Sequence, residues 1–294
     1  MNCNICPRNC NAERSKGNFG ICGVGDKIKI ARASLHYWEE PCISGDTGSG
    51  TIFFSGCNLN CIFCQNEDIS HEKFGKEITE ERLFEIMFEL KEKGAANINL
   101  VTPTHYAERL ITVLKRAKDE GLKIPVLYNS GGYEKVETLK KLEGLIDIYM
   151  PDFKYFDSSL AKEYSSAKDY PFVAKKAIAE MVRQQPKVVF DDDGMMKKGV
   201  LIRHMMMPGG LTDSENIMKY LYETYGENVY FSIMSQYTPT KAVENHPLLK
   251  NRVTEDEYDA LIDFCLDMGM ENAFTQEGEA ADESFIPPFT LEGI

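Results

Sequence analysis

The 294-residue sequence predicts an α/β protein whose parallel strands are joined by right-handed helical crossovers, as an open sheet or as a full or partial barrel. Two observations carry this expectation. Apolar runs rich in β-branched and aromatic residues alternate with helix-period segments through six units. The alternation begins only near position 50, downstream of a stretch rich in Cys, Gly and Asn. The expected organisation is a Cys-rich N-terminal module over 1–49, a core over 50–275 and a tail over 276–294, with the core large enough to stand as one domain.

The candidate strands are Thr51 to Ser55, Asn97 to Thr102, Ile124 to Tyr128, Ile146 to Met150, Val200 to Met206 and Asn228 to Ser235. Helical patterns cover Glu80 to Lys93, Tyr106 to Glu120, Tyr133 to Leu142, Pro171 to Gln184, Thr212 to Tyr225 and Thr254 to Met268. Thr79 with Glu80 and Glu81 supplies a cap and favourable first-turn charges, and Thr212 with Asp213 and Glu215 is expected to do the same. Val188 to Met196 interrupts the alternation and reads as a hairpin around Asp193-Gly194, which makes its acidic run a solvated turn.

Composition narrows the function classes. With 43% hydrophobic and 27% charged residues, and no run near the roughly 20 apolar residues that span a bilayer, the chain is expected to be soluble. Met1 to Pro7 lacks the basic and apolar regions of a secretory signal, so a cytoplasmic location is expected. A net charge of −13 argues against nucleic-acid and anionic-membrane partners. Of nine cysteines, Cys265 alone lies beyond residue 64, a distribution that suits metal sites in a reducing compartment better than a disulfide scaffold.

Cys57, Cys61 and Cys64 form CxxxCxxC directly after the first candidate strand, and in such folds active sites gather at strand carboxyl ends. Three thiolates on one loop can hold three corners of a [4Fe-4S] cube and leave the fourth iron open. A zinc site would want a fourth ligand, and Cys42 is the nearest candidate. With aromatic Phe63 before the last cysteine, the stretch Cys57-Asn58-Leu59-Asn60-Cys61-Ile62-Phe63-Cys64-Gln65-Asn66 resembles the signature of the radical S-adenosylmethionine (SAM) superfamily, and within it the activating enzymes of the pyruvate formate-lyase type. The likeness extends from about Gly50 to Gln236. It implies a partial (β/α)6 TIM-type barrel and a [4Fe-4S] cluster. It also implies reductive cleavage of SAM to methionine and a 5′-deoxyadenosyl radical that abstracts hydrogen.

The resemblance also assigns roles to the later strand ends. Tyr128 to Tyr133 resembles the family's Asp-Thr-Asn-Gly-Phe, and Met150 to Lys154 its Met-x-Asp-x-Lys, so that Ser130, Asp152 and Lys154 are expected around the cofactor's aminoacyl end. A lysine suits the carboxylate and an aspartate the amino group. Ile202 to Gly210 is similar to Ile-Arg-x-Val-Val-Val-Pro-Gly, which gives Arg203 a polar contact and Met205 an adenine contact. Phe63 and Gln236 complete the expected cofactor shell. The sequence departs from the family at three places. Val101-Thr102-Pro103-Thr104-His105 stands where a Gly-Gly-Glu stretch is usual; Thr102 and Thr104 offer oxygen acceptors there, Thr104 reads equally as a helix N-cap, and His105 reads as a surface helix residue. Asn129 replaces an aspartate associated with a monovalent cation, and Tyr237 stands near a histidine position.

In the N-terminal module Cys3, Cys6, Cys10 and Cys22 give a four-thiolate set that fits zinc or an auxiliary Fe-S cluster, and spacing does not separate the two. Cys42 reads as a buried thiol and Cys265 as core. The expected activity is activation of a glycyl-radical enzyme, with radical modification of another peptide or a small molecule as the alternative, and a non-catalytic electron carrier or metal-binding scaffold as a further one. The partners this implies are a protein or peptide substrate and an electron donor such as flavodoxin or ferredoxin.

Overall fold

The computed structural model describes residues 3–276 and 287–294. Ten strands make one sheet among the described residues: β1 (Ile28–His36), β2 (Ser49–Phe54), β3 (Lys76–Ile78), β4 (Ile98–Val101), β5 (Val126–Ser130), β6 (Ile148–Pro151), β7 (Val189–Phe190), β8 (Met196–Met205), β9 (Tyr230–Met234) and β10 (Ala273–Thr275). Their order is β10-β9-β8-β6-β5-β4-β2-β1-β3, with β7 paired to β8 off this path. From β2 to β10 every neighbouring pair is parallel, in registers such as Ile98↔Val126, Leu127↔Ile148 and Leu201↔Tyr230. The path ends on different strands, so the barrel is partial and open, as expected. Because the strands are parallel, their carboxyl ends at Phe54, Val101, Ser130, Pro151, Met205 and Met234 share one rim.

Each of the six strand expectations corresponds to an observed strand. β2, β4, β5 and β6 are buried along their whole length, which is why they read as near-continuous apolar runs. The helices Glu80–Glu92, Ala107–Asp119, Val136–Lys141, Tyr170–Gln184, Leu211–Tyr225 and Glu255–Asp267 match the helical patterns. Thr79 caps the first, its Oγ1 accepting the Arg82 N–H at 3.0 Å. Thr212 does not cap its helix. Gly210 occupies the cap position, and Asp213 instead accepts the N–H groups of Phe156 (3.0 Å) and Asp157 (2.8 Å), pinning the chain that leaves β6. The hairpin at Asp191–Gly194 is present, with Asp192 and Asp193 exposed.

β1 pairs antiparallel with both β2 and β3, so residues 28–36 are part of the sheet. The terminal segment 287–294 lies along β1, through Ala33 N–H to Glu292 O (2.8 Å) and Leu291 N–H to Ala31 O (3.1 Å); residues 277–286 of the expected tail lie outside the described residues. Cys42 and Cys265 are buried as expected. Among the described residues no helix is long and apolar enough to cross a membrane.

Candidate active site

The loop leaving β2 turns at Gly56, whose φ of +84° and 2.6 Å approach of a would-be Cβ to Cys22 O exclude any side chain. Cys57, Cys61 and Cys64 follow, and each sulfur meets a donor. Leu59 N–H points to Cys57 Sγ (3.4 Å), the Ser165 hydroxyl to Cys61 Sγ (2.9 Å) and the Ser70 hydroxyl to Cys64 Sγ (3.1 Å). Tyr155 OH sits 2.7 Å behind Ser165 Oγ. Burial raises the Cys57 and Cys64 thiols and the neighbouring Cys61 adds to it, so these two become thiolates against a cationic centre. Among the described residues no three His, Cys, Asp or Glu side chains converge as ligands of one metal ion. A donor set of three separately hydrogen-bonded sulfurs fits a polynuclear cluster, in which each thiolate takes its own iron.

Beside this loop a small pocket is lined by Phe63, Asp152, Lys154, Tyr155, Met205 and Met207. It brings together Phe63, Asp152, Lys154 and Met205 from the sequence expectation. Phe63 is fixed edge-on against Tyr164 and Tyr237, with centroids 6.5 and 6.0 Å away. Tyr237 is fully buried and its hydroxyl donates to Leu249 O (2.5 Å), so this side chain serves packing.

Asp152 sits between two cations, Lys154 Nζ at 2.7 Å and Arg203 Nε at 3.0 Å. Burial opposes ionisation of the carboxyl, yet Lys154 and then Arg203 hold its pKa below the ordinary aspartate value. Burial likewise opposes the Lys154 charge, and Asp152 and the nearby Cys61 outweigh it, so the ammonium persists. Arg203 is not among the residues that line the pocket. It donates to Asn129 Oδ1 (2.8 Å) and pairs with Glu39 Oε2 (3.4 Å), whose other oxygen accepts from Asn99 (2.9 Å).

Thr104 and Ser130 converge on a residue the sequence reading missed. Glu134 is buried, accepts from Thr104 Oγ1 (2.7 Å) and Tyr128 OH (3.2 Å), and is also hydrogen-bonded by Ser130. Burial pushes its carboxyl up to about 7, against the pull of those three hydroxyls. Thr104 is therefore a Glu134 partner and not a helix cap. Thr102 adopts φ +59°, an uncommon conformation for a β-branched residue, with its N–H bonded to Asn129 O (2.8 Å). His105 is buried, not a surface residue; its Nε2 lies 2.9 Å from Ser55 O and burial pushes its pKa down to about 3, so it is neutral. Gln236 joins through its backbone, Gln65 Nε2 donating to its carbonyl at 3.0 Å.

Glu39, Glu134, Ser70 and Ser165 carried no sequence signal of their own. A polar residue in a loop, or at the end of a short helix as Ser70 and Ser165 are, lacks the periodicity that marks a helix or strand face, although Glu134 does follow the Gly131-Gly132 turn. Gly132 has φ +73°, and a Cβ there would meet Asp152 O at 2.2 Å.

The sequence model of the Radical SAM superfamily matches residues 51–221. An uncharacterised protein of Methanocaldococcus jannaschii, MJ0674, is 28% identical over 273 residues, covering 90% of this chain and 74% of its own. The pyruvate formate-lyase-activating enzyme of Clostridium pasteurianum is 28% identical over 192 residues, 63% of this chain and 73% of its own. Among solved structures, methylornithine synthase superposes with a TM-score of 0.54 at 15% identity, covering 80% of this chain and 63% of that one. Streptococcus suis SuiB bound to its precursor peptide SuiA superposes at 0.52 and 16% identity, over 76% of this chain and 47% of that one. The chain thus spans about half the length of SuiB, and at such identities the likeness concerns the fold.

Proposed function

We propose that this chain, which belongs to the radical SAM superfamily, is an activating-type enzyme that abstracts a hydrogen atom from a glycine Cα of a partner polypeptide. The observation that carries the reading is the pocket at the barrel rim, where Asp152 and Lys154 from the end of β6 and Met205 from the end of β8 stand beside Phe63 of the cysteine loop. The 28% identity with an enzyme named as a pyruvate formate-lyase activator supports the activating type. When bound, the [4Fe-4S] cluster and SAM that the family implies supply one-electron cleavage to methionine and a 5′-deoxyadenosyl radical, with the electron drawn from an external low-potential donor.

The chain's own residues hold and orient. Cys57, Cys61 and Cys64 would ligate the cluster, with Ser165, Ser70 and Leu59 N–H donating to their sulfurs. Lys154, kept charged and aimed by Asp152, would meet the SAM carboxylate. Ser130, held by Glu134, would meet its amino group. Phe63, Met205 and Met207 give the pocket apolar walls that exclude water from a reactive radical.

A second reading, radical modification of another peptide or of a small molecule, draws on Tyr237 and Thr104. The first is spent on Leu249 O and the second on Glu134, where activating enzymes place a histidine and a Gly-Gly-Glu stretch. The test is anaerobic reconstitution, reduction with SAM present, and chromatographic measurement of 5′-deoxyadenosine. Formation of 5′-deoxyadenosine that stops in Cys61→Ala is expected; none from protein with an intact cluster overturns the radical reading. A glycyl radical seen by electron paramagnetic resonance on an added partner is the outcome expected of activation, and a closed-shell modified product instead decides for the second reading.

A further inference from the structure

We infer that Cys3, Cys6, Cys10 and Cys22 form a second iron–sulfur site, built directly against the loop of Cys57, Cys61 and Cys64 and bracing it. The four thiols lie close enough to act on one another. Cys6 feels the charge of Cys22 and Cys3, Cys22 that of Cys3 and Cys10, and Cys10 is hydrogen-bonded by Cys3. Gly20 lies beside two of them, where a Cβ would stand 3.2 Å from Cys22 Sγ and 3.3 Å from Cys10 Sγ. Backbone groups of Arg8, Ala12 with Ile21, and Val24 are hydrogen-bonded to Cys6, Cys10 and Cys22 respectively. Buried thiolates that keep backbone N–H donors are the surroundings in which cluster ligands are held.

Zinc and a cluster make different demands on four thiolates. A closed zinc site needs its thiolates at about 2.3 Å from one point, whereas a cubane spreads them over its corners. Among the described residues no three candidate ligands converge on one point, neither here nor at Cys57, Cys61 and Cys64, where the family implies a cubane. The two cysteine sets are alike in this, and the first is the one to which the family assigns a cluster, that of Cys57, Cys61 and Cys64.

The two sites are joined at several atoms. Cys57 N–H donates to Cys22 O at 3.3 Å. Arg8, two residues after Cys6, donates to Asn58 O (2.8 Å), to Ser165 O (3.0 Å) and to Ser166 O, and its guanidinium lies 5.2 Å from the Tyr133 ring centroid. Asn58 lies within the first cluster's loop, and the Ser165 hydroxyl donates to Cys61 Sγ. Order imposed on the N-terminal loop by a metal centre is thus transmitted to two ligands of the first site.

The inference does not rest on the proposed reaction, and the test separates the two. Wild type, Cys57→Ala/Cys61→Ala/Cys64→Ala and Cys6→Ala/Cys22→Ala are reconstituted anaerobically with iron and sulfide, and iron, acid-labile sulfide and zinc are counted per chain. Each variant is expected to keep about half the wild-type iron and sulfide, and the triple variant a reducible cluster signal in paramagnetic resonance. Sulfide absent from the triple variant, whether zinc replaces it or not, overturns the inference. So does wild type holding a single cluster, which keeps the test decisive if a variant fails to fold. For the bracing, iron release from the first site to a chelator is expected to quicken roughly 10–100-fold in Cys6→Ala/Cys22→Ala, and an unchanged rate rejects it.

Discussion

Replacing Asp152 with Asn is the sharpest probe of the charge arrangement under the pocket. The carboxylate lies 2.7 Å from Lys154 Nζ and 3.0 Å from Arg203 Nε, and the three side chains are 16%, 20% and 17% exposed. Removing one partner of a buried pair costs about 3–5 kcal/mol because the remaining charges stay desolvated and unpaired. The residual exposure places this site at the lower end, about 3 kcal/mol, and at about 2 °C per kcal/mol the melting midpoint falls by about 6 °C. Because Asp152's pKa is depressed in the folded protein, its contribution is complete above the unfolded value of about 3.9 and is lost as pH falls through the lower folded value. The deficit of the variant measured by urea unfolding of anaerobically prepared protein is then constant from pH 5 to 8 and closes in stronger acid. Replacing Lys154 by Met in the same chain should recover at least about 1 kcal/mol, since the uncompensated ammonium is gone. Equal midpoints for wild type and Asp152→Asn at pH 7, or a deficit that does not shrink at all as pH falls below about 3.9, would refute the assignment of Asp152 as the charge that holds both cations.

Ser165→Ala removes the hydroxyl that donates to Cys61 Sγ, and a thiolate with one donor fewer stabilises the reduced cluster less. A redox titration followed by paramagnetic resonance should give a more negative midpoint, with iron content unchanged. Glu134→Gln should flatten the pH dependence of stability. A carboxyl raised to about 7 in the folded state stabilises below its unfolded value of about 4.3, and that contribution is lost as pH rises through 7, so the wild type should weaken from pH 5 to 8 while the variant does not. Arg8→Ala deletes the contacts to the Asn58 and Ser165 carbonyls, a loss of about 1–3 kcal/mol, and hydrogen exchange at residues 57–64 should quicken while exchange in β4 and β5 is unchanged.

The barrel was legible because its strands obey a simple rule. Parallel strands covered on both faces must be apolar throughout, and β4 and β6 read Ile-Asn-Leu-Val and Ile-Tyr-Met-Pro between helical stretches with unambiguous period. β1 was not read as a strand of the sheet, because Ile28–His36 carries Lys29, Arg32 and His36 and lies among the cysteine loops, where turn residues dominate the pattern. The helix Ser158–Ser165 went unnoticed for a related reason: eight residues with Ser at both ends give too few turns for a period. Yet it delivers the Ser165 hydroxyl to Cys61.

The site divides along the same line. Residues that meet the pocket from a strand end, such as Asp152, Lys154 and Met205, are placed by register, and register follows from the apolar pattern that sequence displays. Residues that act on those residues are placed by loop geometry. Glu134 reaches Thr104 and Ser130 only because the chain turns at Gly132, and Glu39 reaches Arg203 from outside the strand pattern altogether. A sequence therefore announces the groups that face a cofactor more readily than the buried acids that hold them. This asymmetry has a chemical consequence: Asp152, read from the sequence as a partner for the SAM amino group, is already paired with two cations of its own. Its carboxylate is committed to fixing Lys154 and Arg203, which makes Asp152 a positioning residue in the proposed site.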